Sequence, residues 1–192
     1  MSWGTALLIA LGAIILIFAF IWILNARRLD RLHRTVIQSR LSLNEALTQR
    51  ANASLQFASD GALDVAGAIL LADAARHALA ESHQSMTSDR LEDGPGHRRT
   101  ARDAGPDRLT LESNLSRTLR LVLDGLEVDE LTETQKKHYA ALEDARENVK
   151  LARRFHNAFV DQTRRLRSNR IVRMARMAGG APMPGPVDLD DE

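Results

Sequence analysis

Histidine, cysteine and paired carboxylates are the side chains that most often carry acid–base, nucleophilic or metal chemistry. The chain has six histidines and no cysteine. No two histidines lie three or four residues apart, and no His-Glu-x-x-His motif, glycine-rich phosphate loop or Gly-x-Ser-x-Gly motif occurs. His156 interrupts an apolar stripe, which favours a hydrogen-bonded histidine inside a helical bundle. We therefore predict no enzyme: no catalytic residue, no cofactor and no metal site.

Arginine clusters are the strongest polar feature, although the whole chain has a formal charge of only +1. Near its C-terminal end, arginines interleave with large apolar side chains, as in a basic amphipathic segment. Such a segment suits membrane lipids or an acidic partner; the alternative is a solvated helix end whose cations favour the helix dipole. Nucleic acid is not expected, because the segment has no aromatic side chain on which a base could stack. The cluster comprises Arg164, Arg165, Arg167, Arg170, Arg173 and Arg176.

Residues 6–24 form an uncharged apolar run near the N-terminus. At about 1.5 Å per residue, roughly 20 such residues cross a hydrocarbon core of about 30 Å. A cleaved signal peptide would need a basic start, a shorter apolar run and a small-x-small cleavage site, none of which is present. We predict a retained anchor over residues 1–24, whose lipid-facing side chains include Leu7, Leu11, Ile15, Phe18 and Trp22.

The charges that flank this run predict its orientation. Arg27, Arg28 and Arg31 follow it closely, whereas no basic side chain precedes it. The positive-inside bias places the N-terminus outside the cell membrane and the bulk of this single-pass chain in the cytoplasm. The same arginines are candidates for contact with anionic headgroups or a partner, or belong to a solvated helix face.

Past the anchor, apolar residues recur at three- and four-residue steps, which predicts an all-α fold: an antiparallel bundle of about four long helices over residues 25–178. Asp60-Gly61 predicts a helix break with Asp60 as the next N-cap, and Asp124-Gly125 predicts another helix end. Thr132 and Gln135 have capping-box spacing and predict the start of a last helix, which carries a heptad-like stripe typical of coiled coils.

Two segments lack the helical pattern. Residues 86–107 contain two Gly-Pro pairs and few large apolar side chains, which predicts a mobile loop, regulatory or merely tolerated. Residues 179–192 are rich in proline and glycine and end in an acidic run. This composition predicts a disordered acidic tail.

Two stretches resemble the LemA family of bacterial membrane-anchored helical proteins. One is the segment of residues 25–51 that follows the anchor; the other has the family's Glu-Asn-x-x-x-Ala-Arg-x-Phe-[Tyr/His]-Asn-x-x-Val pattern. Departures include Ala51-Asn52-Ala53-Ser54-Leu55 where the family has Ile-Pro-Asn-Leu-Val. The resemblance implies one N-terminal span, an outside N-terminus and a cytoplasmic antiparallel bundle, and it implies no activity. The matching residues are Glu147, Asn148, Ala152, Arg153, Phe155, His156, Asn157 and Val160.

These observations favour a non-enzymatic membrane protein that acts as a scaffold or interaction module through its helical bundle. An accessory subunit of a larger membrane complex, such as a respiratory assembly, is the first alternative, and an enzyme with an unrecognised site is the second. Gly4 and Gly12 give the anchor a small-residue surface suited to helix contact. The expected partners are therefore membrane lipids and other membrane proteins or a second copy of the chain.

Overall fold

The computed structural model describes residues 3–84, 86, 107–168 and 183–191. These residues hold four α-helices and no strand: α1 (Trp3–Ser59), α2 (Val65–Ala80), α3 (Arg108–Leu123) and α4 (Glu133–Ser168). A single 3₁₀ turn, Val128–Glu130, lies between α3 and α4. The helix α1 packs along α4 and against α2, and α2 packs against α3. The all-α prediction is confirmed.

The first helix continues unbroken for 57 residues from the apolar run into the packed part of the chain. No proline or glycine interrupts it between Ala13 and its end. It stops where Gly61 adopts a positive φ of 77°, a conformation that side chains with a Cβ rarely tolerate. Residues 7–24 are all exposed, and this is the one described helix long and apolar enough to span a membrane.

The helix boundaries test the predicted caps. Thr132 and Gln135 form the predicted capping box, in which the Thr132 N–H donates to the Gln135 side chain at 2.9 Å. Gly125 follows the end of α3 with a φ of 79°, as expected. The N-cap of α2, however, is Asp64, whose carboxylate accepts from the Gly67 N–H at 3.0 Å. The prediction that Asp60 is this N-cap was wrong, because the Asp60 carboxylate accepts from the Ala62 N–H instead.

Two apolar clusters hold the helices together. The first joins the C-terminal end of α1 to α2, α3 and the start of α4, and its largest buried side chain is that of Phe57. The second lies around Leu43 and Leu47 in the middle of α1 and includes Val149 of α4. The second cluster also contains side chains from the C-terminal segment, whereas the first contains none.

The C-terminal residues 183–191 differ from the predicted disordered tail. They lie as an extended segment against the helices, with Val187, Leu189 and Asp191 buried and Asp188 exposed between them. Such alternation of buried and exposed side chains is typical of an extended chain with one face covered. Proline and glycine prevent a helix here, but the apolar residues still gain from burial, and neighbouring helices provide the polar partners.

Two further predictions fall partly or wholly outside the described residues. The mobile loop of residues 86–107 lies outside them except for its ends, Met86 and Asp107. Of the predicted bundle, residues 169–178 also lie outside.

Candidate functional site: an acidic segment in an arginine-lined groove

The C-terminal segment occupies a groove with an apolar floor, which we call the tail groove. Its floor is built mainly by α1 and α4, whose apolar residues at helical spacing meet there, and is completed by Met86. Leu189 and Val187 insert into this floor. The side chains that form the floor are Leu43, Ala46, Leu47, Met86 and Val149, with Leu109 and Ala152 at its edge.

The backbone of the segment is held by an amide side chain of α4. The Asn157 side chain donates from Nδ2 to the Val187 carbonyl and accepts from the Val187 N–H through Oδ1, both at 2.9 Å. One amide therefore satisfies both backbone groups of one residue, as a neighbouring strand would. The Asp190 N–H faces the Ser113 hydroxyl of α3 at 3.4 Å. These contacts of Asn157 and Ser113 fix the position of the extended chain through its backbone and not through its side chains.

Arginines on α3 and α4 bind the two aspartates near the C-terminus. One edge of the Arg153 guanidinium faces Asp191: Nε donates to Oδ2 at 2.8 Å, and Nη2 lies 2.6 Å from Oδ1 as an ion pair. Asp190 accepts from Arg117 Nε at 2.8 Å and from Arg120 Nη2 at 3.0 Å. Arg120 Nη1 also donates to the Asp190 carbonyl at 3.3 Å. Paired guanidinium–carboxylate contacts of this kind are directional as well as electrostatic.

These ion pairs differ in their exposure to water. The side chains of Arg153 and Asp191 are 17% and 3% exposed, whereas those of Arg117 and Asp190 are 64% and 40% exposed. The hydrogen bond from Arg117 and the charge of Arg120 lower the pKa of Asp190. Solvent screens the outer pair more strongly, so the Arg153–Asp191 pair contributes more to holding the segment.

Behind the groove, a buried ionic cluster joins α1 to α3. Arg50 Nη2 lies 2.8 Å from Glu112 Oε2, and Arg50 Nη1 donates to the Ser116 hydroxyl at 2.8 Å. Arg108 Nε lies 3.7 Å from Glu112 Oε1, and its Nη1 donates to the Gln84 carbonyl at 2.7 Å. Burial lowers the pKa of Arg50, although the charge of Glu112 opposes the shift. This cluster fixes α3, which carries Arg117 and Arg120.

Two histidines of the described residues have structural partners. His156 is fully buried, and its Nδ1 lies 2.9 Å from the Ser39 hydroxyl, which confirms the predicted bundle histidine. His138 lies with Nδ1 2.8 Å from Asp60 and Nε2 3.0 Å from Gln56. Among the described residues, no group of three histidine, aspartate or glutamate side chains could hold a metal ion.

The described members of the predicted contact residues are not among those that form the tail groove. Arg27, Arg28 and Arg31 are exposed on α1, and the predicted anchor side chains are exposed as well. Arg164 and Arg165 are exposed near the end of α4 and Arg167 is half-buried, whereas Arg170 and Arg173 lie outside the described residues. The buried arginines of the ionic cluster and the arginines of the groove were not predicted.

A sequence signal for the groove exists. Arg153 and Asn157 are four residues apart and Arg117 and Arg120 are three apart, so each pair shares a helix face. The segment Val187-Asp188-Leu189 alternates apolar and acidic residues. Compared with known protein families, curated proteins and solved structures, the chain matches none of them.

Proposed function

We propose that this chain is a non-enzymatic, membrane-anchored interaction protein, whose helical bundle is a scaffold held at the membrane surface. The observation that carries the proposal is the continuity of α1, whose apolar first part is fully exposed and whose second part packs into the helical core. A helix of this apolar length stays out of water in a bilayer. The buried second part then holds the rest of the chain at a fixed position relative to the membrane.

We propose that α1 and α4 lie antiparallel, and three contacts support this arrangement. Ser39 contacts His156, Gln56 contacts His138, and the Asp60 carbonyl accepts from Gln135 at 3.2 Å. Partner numbers therefore fall along α4 as they rise along α1. The same register places the end of α4 beside the part of α1 that follows the apolar run.

In the proposed register, the described arginines of the two predicted clusters lie at one level. Arg164 falls near the level of Arg31, and Arg167 falls near the level of Arg28. These described arginines then lie within a few helical turns of the apolar run, where each arginine near an anionic leaflet contributes about 1 kcal/mol. We propose that they orient the bundle on the headgroups of the cytoplasmic leaflet, with the N-terminus outside. The LemA resemblance is consistent with this arrangement and remains a prediction.

Site-directed labelling in intact cells tests the orientation, since the chain has no native cysteine. A cysteine placed at Ser2 should react with an impermeant maleimide, and one placed at the exposed Ala141 should react only after the cells are opened. The opposite pattern contradicts the topology.

Purification from mild detergent tests the scaffold function. Native electrophoresis and mass spectrometry should reveal discrete protein partners or a homo-oligomer. Migration at the size of a single large complex would favour the accessory-subunit alternative, and a bound nucleotide or metal would favour an enzyme.

A further inference from the structure

We propose that the tail groove is a binding site for extended acidic peptide segments of a partner protein, and that residues 187–191 occupy it in cis as a built-in competitor. The matching pattern is apolar–any–apolar–acidic–acidic. This inference rests on the proposed scaffold function and names the chemical class of its partner. It is drawn from the contacts that the chain's own segment makes.

The groove contacts the segment mainly through side chains that project from the helices. Asn157 pairs with the backbone of Val187, as it could with any extended chain, so this contact selects the extended conformation and not a side chain. The apolar floor accepts Val187 and Leu189 on alternate positions. Main-chain hydrogen bonds combined with pockets for alternate side chains are how many proteins bind extended peptides.

Charge complementarity sets the preference for acidic ligands. Three guanidinium groups, those of Arg117, Arg120 and Arg153, face the aspartates at the end of the segment. The chain as a whole is nearly neutral, so this positive charge is local to the groove. A basic or neutral peptide would leave the half-buried Arg153 without a carboxylate, which is costly away from water.

Much of the packing between the helices does not involve the segment. The cluster around Phe57 that joins all four helices contains no residue of the segment. Arg50 contacts Glu112 and Ser116 directly without it, although the charge of Asp191 also acts to raise the pKa of Arg50. Departure of the segment would uncover only part of the second cluster, around Leu43 and Leu47. We therefore treat the segment as a ligand that competes for a groove already formed by the helices, and not as a part of the core.

The connection in cis explains why a partner must compete. Only residues 169–182 separate the end of α4 from the segment. A short linker holds a ligand at an effective concentration of about a millimolar, so the cis segment excludes weak ligands. A partner gains access when it presents the same pattern with higher affinity or from a neighbouring position on the membrane.

Fluorescence anisotropy with the full chain in nanodiscs tests this proposal. The probe is a labelled synthetic peptide with the sequence of residues 183–192. A variant that we call the released chain carries Val187→Asp and Leu189→Asp, which should keep its own segment out of the groove. We expect the released chain to bind the probe at least about tenfold more tightly than the wild-type chain, because competition in cis is lost. Binding should weaken as salt is raised. An Asp188→Ser chain, altered at an exposed position, should exclude the probe as the wild type does.

Adjacent arginines provide a matched control for the groove. On the released background, Arg153→Glu should weaken probe binding by at least about tenfold, since it opposes the buried Asp191 position. Arg154→Glu, on an exposed side chain of the same helix, should change binding less than about twofold. Equal effects of the two substitutions would show non-specific charge attraction and overturn the proposal.

Folding is checked on the same samples by circular dichroism. If the released chain loses helicity, a chain with the milder substitutions Asp190→Asn and Asp191→Asn is tested in its place. Retained helicity of that chain, with tighter probe binding than the wild type, supports the proposal. Loss of helicity in both chains shows that the segment is part of the core, and retained helicity without probe binding shows that the groove binds no peptide in trans. Either result overturns the proposal. Membrane retention is assayed separately, so a chain that binds the probe but is not membrane-bound contradicts only the anchor.

Discussion

The two parts of α1 are both rich in aliphatic side chains, yet they meet different surroundings. In residues 7–24 the apolar side chains surround the whole helix and are all exposed. In the second part, apolar side chains such as Val36, Leu43 and Leu47 recur at helical spacing and are buried, the two leucines in the cluster that includes Val149 of α4. The arrangement of apolar residues, more than their number, distinguishes a lipid-facing helix from a protein-facing one.

The ion pairs of α1 repeat this contrast. Arg34 and Asp30, close to the apolar run, form a pair at 3.0 Å whose side chains are 79% and 62% exposed. Arg50 and Glu112 form a pair at 2.8 Å whose side chains are both 2% exposed. One helix therefore carries a pair that solvent screens and a pair that the fold depends on.

Breaking these two pairs should have very different effects. Arg50→Ala leaves Glu112 buried with only the more distant Arg108, and we expect a loss of about 3–5 kcal/mol in the free energy of unfolding. Arg34→Ala should cost less than about 1 kcal/mol. Chemical denaturation of the full chain in mild detergent, followed by circular dichroism, measures both. Similar losses would contradict the burial of the Arg50 pair.

Leucine truncations sharpen the same comparison. Leu47→Ala removes a fully buried side chain from the second cluster and should destabilise the fold by about 2–5 kcal/mol. Leu41→Ala, on an exposed side chain of the same helix, should change stability by less than about 0.5 kcal/mol. If Leu41→Ala proves the more costly, the packed face of α1 has been assigned incorrectly.

The arginines at the end of α4 are expected to affect orientation and not folding. Changing Arg164, Arg165, Arg167 and Arg170 together to Gln should leave the chain membrane-bound and helical. An environment-sensitive dye on a cysteine at Ser168 should report contact with anionic nanodiscs that salt weakens, and the Gln variant should lose it. If the wild-type chain gives the same signal with neutral and anionic lipids, the arginines contact a protein or only water.

The smallest effect concerns pH. The pKa of Asp190 is lowered by its hydrogen bond to Arg117, so its charged form favours the docked segment. This contribution is complete above the ordinary aspartate pKa and is lost as pH falls through the lowered value. Probe exclusion by the wild-type chain should thus be constant from pH 5 to pH 8 and weaken below about pH 4. Weakening already near pH 6 would implicate a histidine instead.

Local signals in the sequence predict part of this structure. The capping box of Thr132 and the glycine after Asp124 fix helix ends through nearby residues, and both were predictable. The N-cap of α2 was not, because Asp60 and Asp64 are chemically equivalent and contacts with α4 engage the former. Burial of Arg50 depends on Glu112, which is 62 residues away in the sequence. The extended conformation of the C-terminal segment depends on contacts with α1, α3 and α4. Composition carries no information on such distant partners.

The central claim is that the first part of α1 lies in lipid and the second part in protein and water. Ile14 and Leu41 test it directly, because their side chains are similarly exposed, 62% and 54%, in the absence of a bilayer. In nanodiscs, a cysteine at Leu41 should react readily with a water-soluble maleimide, whereas one at Ile14 should react only after the lipid is dissolved. Equal reactivity of the two cysteines in intact nanodiscs would contradict the claim.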